Sequence, residues 1–172
     1  MFHSISILMS FLLLIASPVW PLGENPIVGD PFIIVNKKIN QLAFINEGEI
    51  KETYEVTTGK EQSLTPEGTF TVVVKAQNPY YRKKNIPGGV KENPLGTRWL
   101  GFDAENTDGR IYGIHGTNTP HLIGYNLSNG CVRMRNNEVE SLYERIPLGT
   151  KVFIVSSQKS FEQLAESAGA IP

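Results

Sequence analysis

Apolar and polar positions alternate differently in three parts of the chain. Residues 5–16 (ISILMSFLLLIA) are almost continuously apolar and lead through Ser17 and Pro18 into a Pro- and Gly-containing stretch that ends at Gly29. Beyond it the apolar runs are short: residues 32–35 (FIIV), 42–45 (LAFI), 50–57 (IKETYEVT), 69–75 (TFTVVVK), 99–102 (WLGF), 111–114 (IYGI) and 151–156 (KVFIVS). Short runs rich in β-branched and aromatic residues, bounded by turn formers, predict strands. Glu47-Gly48-Glu49 predicts a hairpin, and Thr58-Gly59 with Pro66-Glu67-Gly68 bracket a loop. No helical pattern of ten or more residues separates these strands, which predicts a mainly β, antiparallel sandwich or barrel-like domain instead of a parallel sheet.

Helical periodicity emerges only near the end. Val139, Leu142, Tyr143 and Ile146 fall at i, i+3, i+4 and i+7, with Asn136 or Asn137 as the expected N-cap and Pro147 as the stop. Ser160 and Gln163 form a capping-box pattern before Phe161, Leu164, Ala165 and Ala168, predicting a short amphipathic C-terminal helix. Residues 78–96 fit neither period. With Pro79, Tyr80, Tyr81, Arg82, Lys83, Lys84, Pro87, Gly88, Gly89 and Pro94 they form a long surface excursion whose aromatic and basic side chains either line a groove or are simply solvated.

The resulting organisation is a signal peptide or N-terminal anchor at 1–22, a linker at 23–30, one domain at 31–156 and a tail at 157–172. A membrane-spanning helix needs roughly 20 apolar residues, so the first run is short for a permanent anchor and fits the apolar region of an export signal. Its n-region, with His3 but no Lys or Arg, lacks the usual positive charge, and a buried core segment is the alternative. We expect export to an extracytoplasmic location such as the cell wall, with membrane contact only through this segment. At 172 residues and 40% hydrophobic composition the chain suits one globular domain, and 16 Lys+Arg against 17 Asp+Glu disfavour a nucleic-acid partner.

A single cysteine in an exported chain cannot form an internal disulfide, which draws attention to Cys131. A nucleophilic Cys needs a base or cation, because the thiolate is the attacking species; a partly exposed Cys131 with a lowered pKa is expected. Outside the leader the histidines are His115, placed where a strand opens into a loop at Gly116, and His121, which follows Pro120 in a loop. His115 is the better base. Gly130 lets the backbone turn sharply, so that the Gly130 and Cys131 amides could face a developing oxyanion. Arg133 would bind a substrate carboxylate or tie the loop to an acidic residue. One Cys and two His make no zinc site, and no metal or other cofactor is expected.

These residues carry a resemblance. His115-Gly116-Thr117, then Ser128-x-Gly130-Cys131-Val132-Arg133-Met134 at a His-to-Cys separation of 131 − 115 = 16 positions, resembles the signature of the YkuD-type L,D-transpeptidases, bacterial cell-wall enzymes. Gly59, Thr65-Pro66-x-Gly68-x-Phe70 and Asn93-Pro94-Leu95-Gly96-x-Arg98-Trp99 agree with it. Many members carry a second His before the Gly-Cys pair where this chain has Asn129, so His115 must serve. The resemblance implies Cys131 as nucleophile, His115 as base, the Gly116 carbonyl as the group orienting it, Gly130 and Cys131 as oxyanion donors, and Ser128 as a brace for the loop. It implies attack on the third residue of a peptidoglycan tetrapeptide stem, release of D-alanine and 3→3 crosslinking by a monomer, with carbapenems among β-lactam inhibitors. A carboxypeptidase using water, or a wall-binding protein without turnover, would share the fold.

Overall fold

The computed structural model describes residues 28–172, and the expected export segment and most of the linker lie outside the described residues. Ten strands and two α-helices follow in chain order. The strands are β1 (Phe32–Asn36), β2 (Gln41–Asn46), β3 (Glu49–Glu55), β4 (Thr58–Gly59), β5 (Gly68–Gln77), β6 (Arg98–Phe102), β7 (Tyr112–His115), β8 (Asn126–Ser128), β9 (Val132–Arg133) and β10 (Lys151–Val155). Helix α1 (Asn136–Arg145) lies between β9 and β10, and α2 (Phe161–Ser167) closes the chain. Eight strands form one curled sheet in the order β3-β2-β1-β10-β5-β6-β7-β9, and β4 pairs with β8 beside it.

The domain is mainly β with two short helices near the C-terminus, as the pattern predicts. Most neighbouring strands pair antiparallel, as expected, and β1/β10, β7/β9 and β4/β8 are parallel pairs beside them. Parallel neighbours need a crossover of a dozen or more residues. Residues 116–131 provide one between β7 and β9, and nearly the whole domain separates β1 from β10. A run of apolar residues reveals a strand but not which neighbour it will find. The run 50–57 divides for the same reason: residues 49–55 pair with β2, whereas Thr57 bridges to Arg133 and β4 turns to β8.

Alternate residues of β1 and β2 enter two separate cores, which accounts for runs that are apolar at both parities. Ile33, Val35, Leu42 and Phe44 join Val72, Leu100, Phe102, Ile114, Val132 and the α1 residues Val139 and Leu142. Phe32, Ile34, Ala43 and Ile45 instead pack beneath Leu164 and Ala165 of α2. Strand β5 makes the corner, pairing with β10 through residues 68–71 and with β6 from Val72 onward, with a register shift between Val72 and Val74. Such a bulge bends and twists a strand, and here it carries the sheet around the first core.

The Glu47-Gly48 turn forms as expected, both residues having positive φ (54° and 73°). Ser160 caps α2, its Oγ accepting from Gln163 N at 3.3 Å. The cap of α1 differs from expectation: Arg135 occupies that position, and Asn136 lies inside the first turn, its side chain turned to two neighbouring loops.

Ile114 is fully buried, whereas Ile111, three residues earlier, is 62% exposed. We predict that Ile114→Ala lowers unfolding free energy by about 2–5 kcal/mol while Ile111→Ala stays within about 0.5 kcal/mol, measured by chemical denaturation.

Candidate active site

Strands β7 and β9 run side by side with Ile114 opposite Val132 and His115 opposite Arg133. Ile114 and Val132 face the core. Because successive side chains alternate between faces, His115, Cys131 and Arg133 share the other face, with Cys131 immediately before β9. The 16-residue separation in sequence is thereby closed by one parallel pairing.

His115 is 3% exposed. Its Nδ1 lies 2.6 Å from the Gly116 carbonyl oxygen, and its ring stacks on Trp99 at 5.4 Å between centroids and 19° between planes. A carbonyl can only accept, so Nδ1 carries the proton and Nε2 keeps its lone pair in the neutral ring. Burial lowers the His115 pKa to about 4; the Gly116 carbonyl opposes the shift, the Arg133 charge adds to it, and the Leu95 carbonyl again opposes it. Trp99 is held by its own Nε1–H to the Gly109 carbonyl at 2.8 Å. Gly113 makes room for the indole, since a Cβ there would lie 2.7 Å from Trp99 ring carbons.

The Cys131 side chain is partly buried, with Sγ 3.4 Å from the Ile111 carbonyl oxygen. Burial pushes the thiol pKa up from its ordinary value, against the opposing pull of the Gly113 N–H and the Arg133 and Lys83 charges. This corrects the expectation of a lowered pKa: the thiol is desolvated, and the nearby cations only partly offset that cost. The resting pair is therefore a neutral thiol and a neutral imidazole.

The turn before Cys131 is tightly braced. Ser128 Oγ donates to the Cys131 carbonyl at 2.6 Å and accepts the Gly130 N–H at 3.1 Å. The Gly130 amide, expected to face an oxyanion, is thus engaged by Ser128 in this state. Gly130 itself has φ +125°, and a Cβ there would come within 2.5 Å of the Leu64 carbonyl oxygen and 3.1 Å of the Tyr112 ring. The buried Lys37 anchors the loop behind it, donating to the Thr65 carbonyl at 2.8 Å and to the Gln62 carbonyl and pairing with Glu67 at 3.1 Å.

Arg133 forms no salt bridge among the described residues, which removes the acidic tie weighed for it. His121 is exposed on the 3-10 turn Pro120–Leu122, away from burial like that of His115. Several contributors escaped the sequence reading as site residues: Trp99, Leu95, Lys83 and Tyr112. The first two stand in a motif block already noticed, Asn93–Trp99, which was a usable signal; nothing in the sequence places Lys83 or Tyr112 near the thiol. The excursion 78–96 does reach the site through Lys83 and Leu95. It also borders a groove of about 620 Å³ with Asn78, Lys91, Thr97, Thr117 and Asn118 along its walls, although its tyrosines do not line that groove. Among the described residues no three of His, Cys, Asp and Glu are grouped to hold a metal ion.

Residues 30–154 match the family model of the YkuD L,D-transpeptidase catalytic domain. The chain is 60% identical over 149 residues to the Bacillus subtilis (strain 168) protein named "Putative L,D-transpeptidase YqjB", covering 87% of this chain and 85% of that protein. The crystal structure of an L,D-transpeptidase from Stackebrandtia nassauensis superposes with a TM-score of 0.59 at 22% identity, covering 78% of this chain and 58% of that one. The catalytic domain of the Enterococcus faecium L,D-transpeptidase acylated by ertapenem gives 0.57 at 21% identity, covering 76% of this chain and all of that one (100%). At these identities the two structures share the fold with this chain.

The buried imidazole leads to a prediction with a defined sign. Above pH 6.5 His115 is neutral in both folded and unfolded chains; as pH falls from about 6.5 toward 4, the unfolded chain takes a proton that the folded one refuses, so stability declines across that window. His115→Phe should flatten that part of the stability curve, measured by denaturation at successive pH values. An imidazole NMR titration in the parent should show His115 neutral at pH 5.5.

Proposed function

The chain belongs to the YkuD family of L,D-transpeptidase catalytic domains, and we propose that it is an exported L,D-transpeptidase in which Cys131 is the nucleophile and His115 the general base. The observation that carries this reading is the arrangement of the two side chains on one face of the β7/β9 pair, with the His115 tautomer set by the Gly116 carbonyl.

In this reading His115 Nε2 takes the Cys131 proton as sulfur attacks the carbonyl of the third residue of a tetrapeptide stem. A neutral resting pair suits that role, since a base already protonated could not accept it. The tetrahedral oxyanion is stabilised by the Cys131 amide, and the Gly130 amide joins when it exchanges Ser128 Oγ for the developing charge. The bond to D-alanine breaks, His115 returns the proton to the departing amine, and a thioester remains on Cys131. A side-chain amine of a second stem attacks the thioester, loses its proton to His115 and yields the 3→3 crosslink, after which the thiol is restored. Arg133, which forms no salt bridge among the described residues, receives a substrate carboxylate. No metal or cofactor takes part.

The peptidoglycan substrate follows from family membership, and export from the apolar segment at 5–16. Carbapenem acylation is proposed by analogy with the Enterococcus faecium domain bearing ertapenem. A strained β-lactam carbonyl presents the same electrophile to the same thiol.

Two outcomes test the reading. Incubation with ertapenem should add one drug mass at Cys131, detected by mass spectrometry, and Cys131→Ser should remain unmodified; undiminished crosslinking of muropeptides by Cys131→Ala would overturn the mechanism. His115→Ala should slow transfer by on the order of 100-fold or more, whereas His121→Ala should leave the rate within a few-fold of the parent. The reverse ranking would assign the base to the other histidine.

A further inference from the structure

The groups that hold His115 are loop backbone, and loop backbone needs its own support. Asn136, in the first turn of α1, places its side-chain carbonyl between two loops: Oδ1 accepts the Thr117 N–H at 3.0 Å and the Thr97 N–H at 3.3 Å. One of these amides directly follows Gly116, whose carbonyl takes the His115 Nδ1 proton. The other lies two residues after Leu95, whose carbonyl also faces the ring. The approach is possible only because both loops carry glycine at the contact. A Cβ on Gly116 would fall 2.1 Å from Asn136 Oδ1, and one on Gly96 would fall 2.2 Å from it. The loops are joined directly as well, by the Gly116 N–H to the Arg98 carbonyl at 3.2 Å.

We infer that Asn136 is a positioning residue for His115: its side-chain carbonyl clamps the 95–97 and 116–117 loops together and so holds the Gly116 carbonyl where it fixes the imidazole. The amide side chain suits the task because one carbonyl oxygen has two lone pairs, enough for both N–H groups. Anchoring that oxygen on a helix gives the clamp a rigid base, and the same helix packs on β6 and β7, the strands that carry Trp99 and His115. The inference rests on the proposed role of His115 as base, and the experiment separates the two.

Ertapenem acylation rates and nitrogen-15 NMR of the His115 imidazole are measured in the parent, Asn136→Ala, Asn136→Asp and His115→Ala/Asn136→Ala proteins, with folding checked by circular dichroism. Asn136→Ala should lose the Nδ1-protonated signature and slow acylation by about 10- to 100-fold, the scale of a misplacement of roughly 1 Å. Asn136→Asp keeps an acceptor oxygen in the same place and should recover most of the rate and the signature. In the His115→Ala background, removing Asn136 should cost nothing further. An unchanged imidazole signature in Asn136→Ala, or an equal rate loss with and without His115, would overturn the inference. If Asn136→Ala does not fold, Asn136→Ser takes its place with the same criteria. Normal acylation by His115→Ala alone would refute the base assignment, while the imidazole signature would still decide whether Asn136 positions the ring.

Discussion

The parallel pairing of β7 with β9 is the constraint on which the site depends. It brings a histidine and a cysteine from opposite ends of a long crossover onto one face of the sheet, and it does so with core residues on the reverse face. Ile114 and Val132 are fully buried opposite each other. Burial of that apolar pair sets the register, and a slip by one residue would turn His115 and Cys131 into the core. Packing energy on one side of the strands therefore controls the arrangement of side chains on the other.

Desolvation governs the chemistry on that face. His115 is stacked on Trp99 and enclosed by two loops, so its charged form is disfavoured, and the neighbouring thiol is disfavoured as thiolate for the same reason. The site thus stores neither charge at rest. Positive charge on Arg133 and Lys83 lies close enough to the sulfur to oppose the upward shift of the thiol pKa, as the proposed transfer of its proton to the imidazole would require. Glycine makes this density of contacts possible. At Gly113 the missing side chain admits the Trp99 indole, and at Gly96 and Gly116 it admits the Asn136 amide. Each of these glycines is explained by a neighbour's atoms at the place where its Cβ would be.

The turn before Cys131 shows a related economy of groups. Ser128 Oγ ties together the Cys131 carbonyl and the Gly130 amide, while Lys37 fixes the loop that lies against Gly130. A buried lysine is costly unless its donors are satisfied, and here they meet two carbonyls and a carboxylate. The turn is consequently supported from both sides before any ligand arrives.

Short β-branched runs, the Glu47-Gly48 turn and the Ser160/Gln163 box were readable from the amino acids because each depends on neighbours a few residues away. The proposed Cys131 and His115 pair rests on motif blocks that are local strings at a characteristic separation. Family membership, supported by the domain match and by close relatives, follows the same blocks. Tertiary structure alone decided which strands pair in parallel, since apolar alternation specifies a face and leaves the partner open. It also decided the state of the thiol: the cations near Cys131 were visible in part, but burial, which outweighs them, depends on the whole packed surface. Asn136 illustrates the limit most clearly. Its sequence position suits a helix cap, yet Arg135 takes that place, and the Asn136 carbonyl reaches instead to Thr97 and Thr117, residues 39 and 19 positions away. Such contacts exist only once the sheet has closed, because it is the folded β6 and β7 that bring those two loops to the first turn of α1.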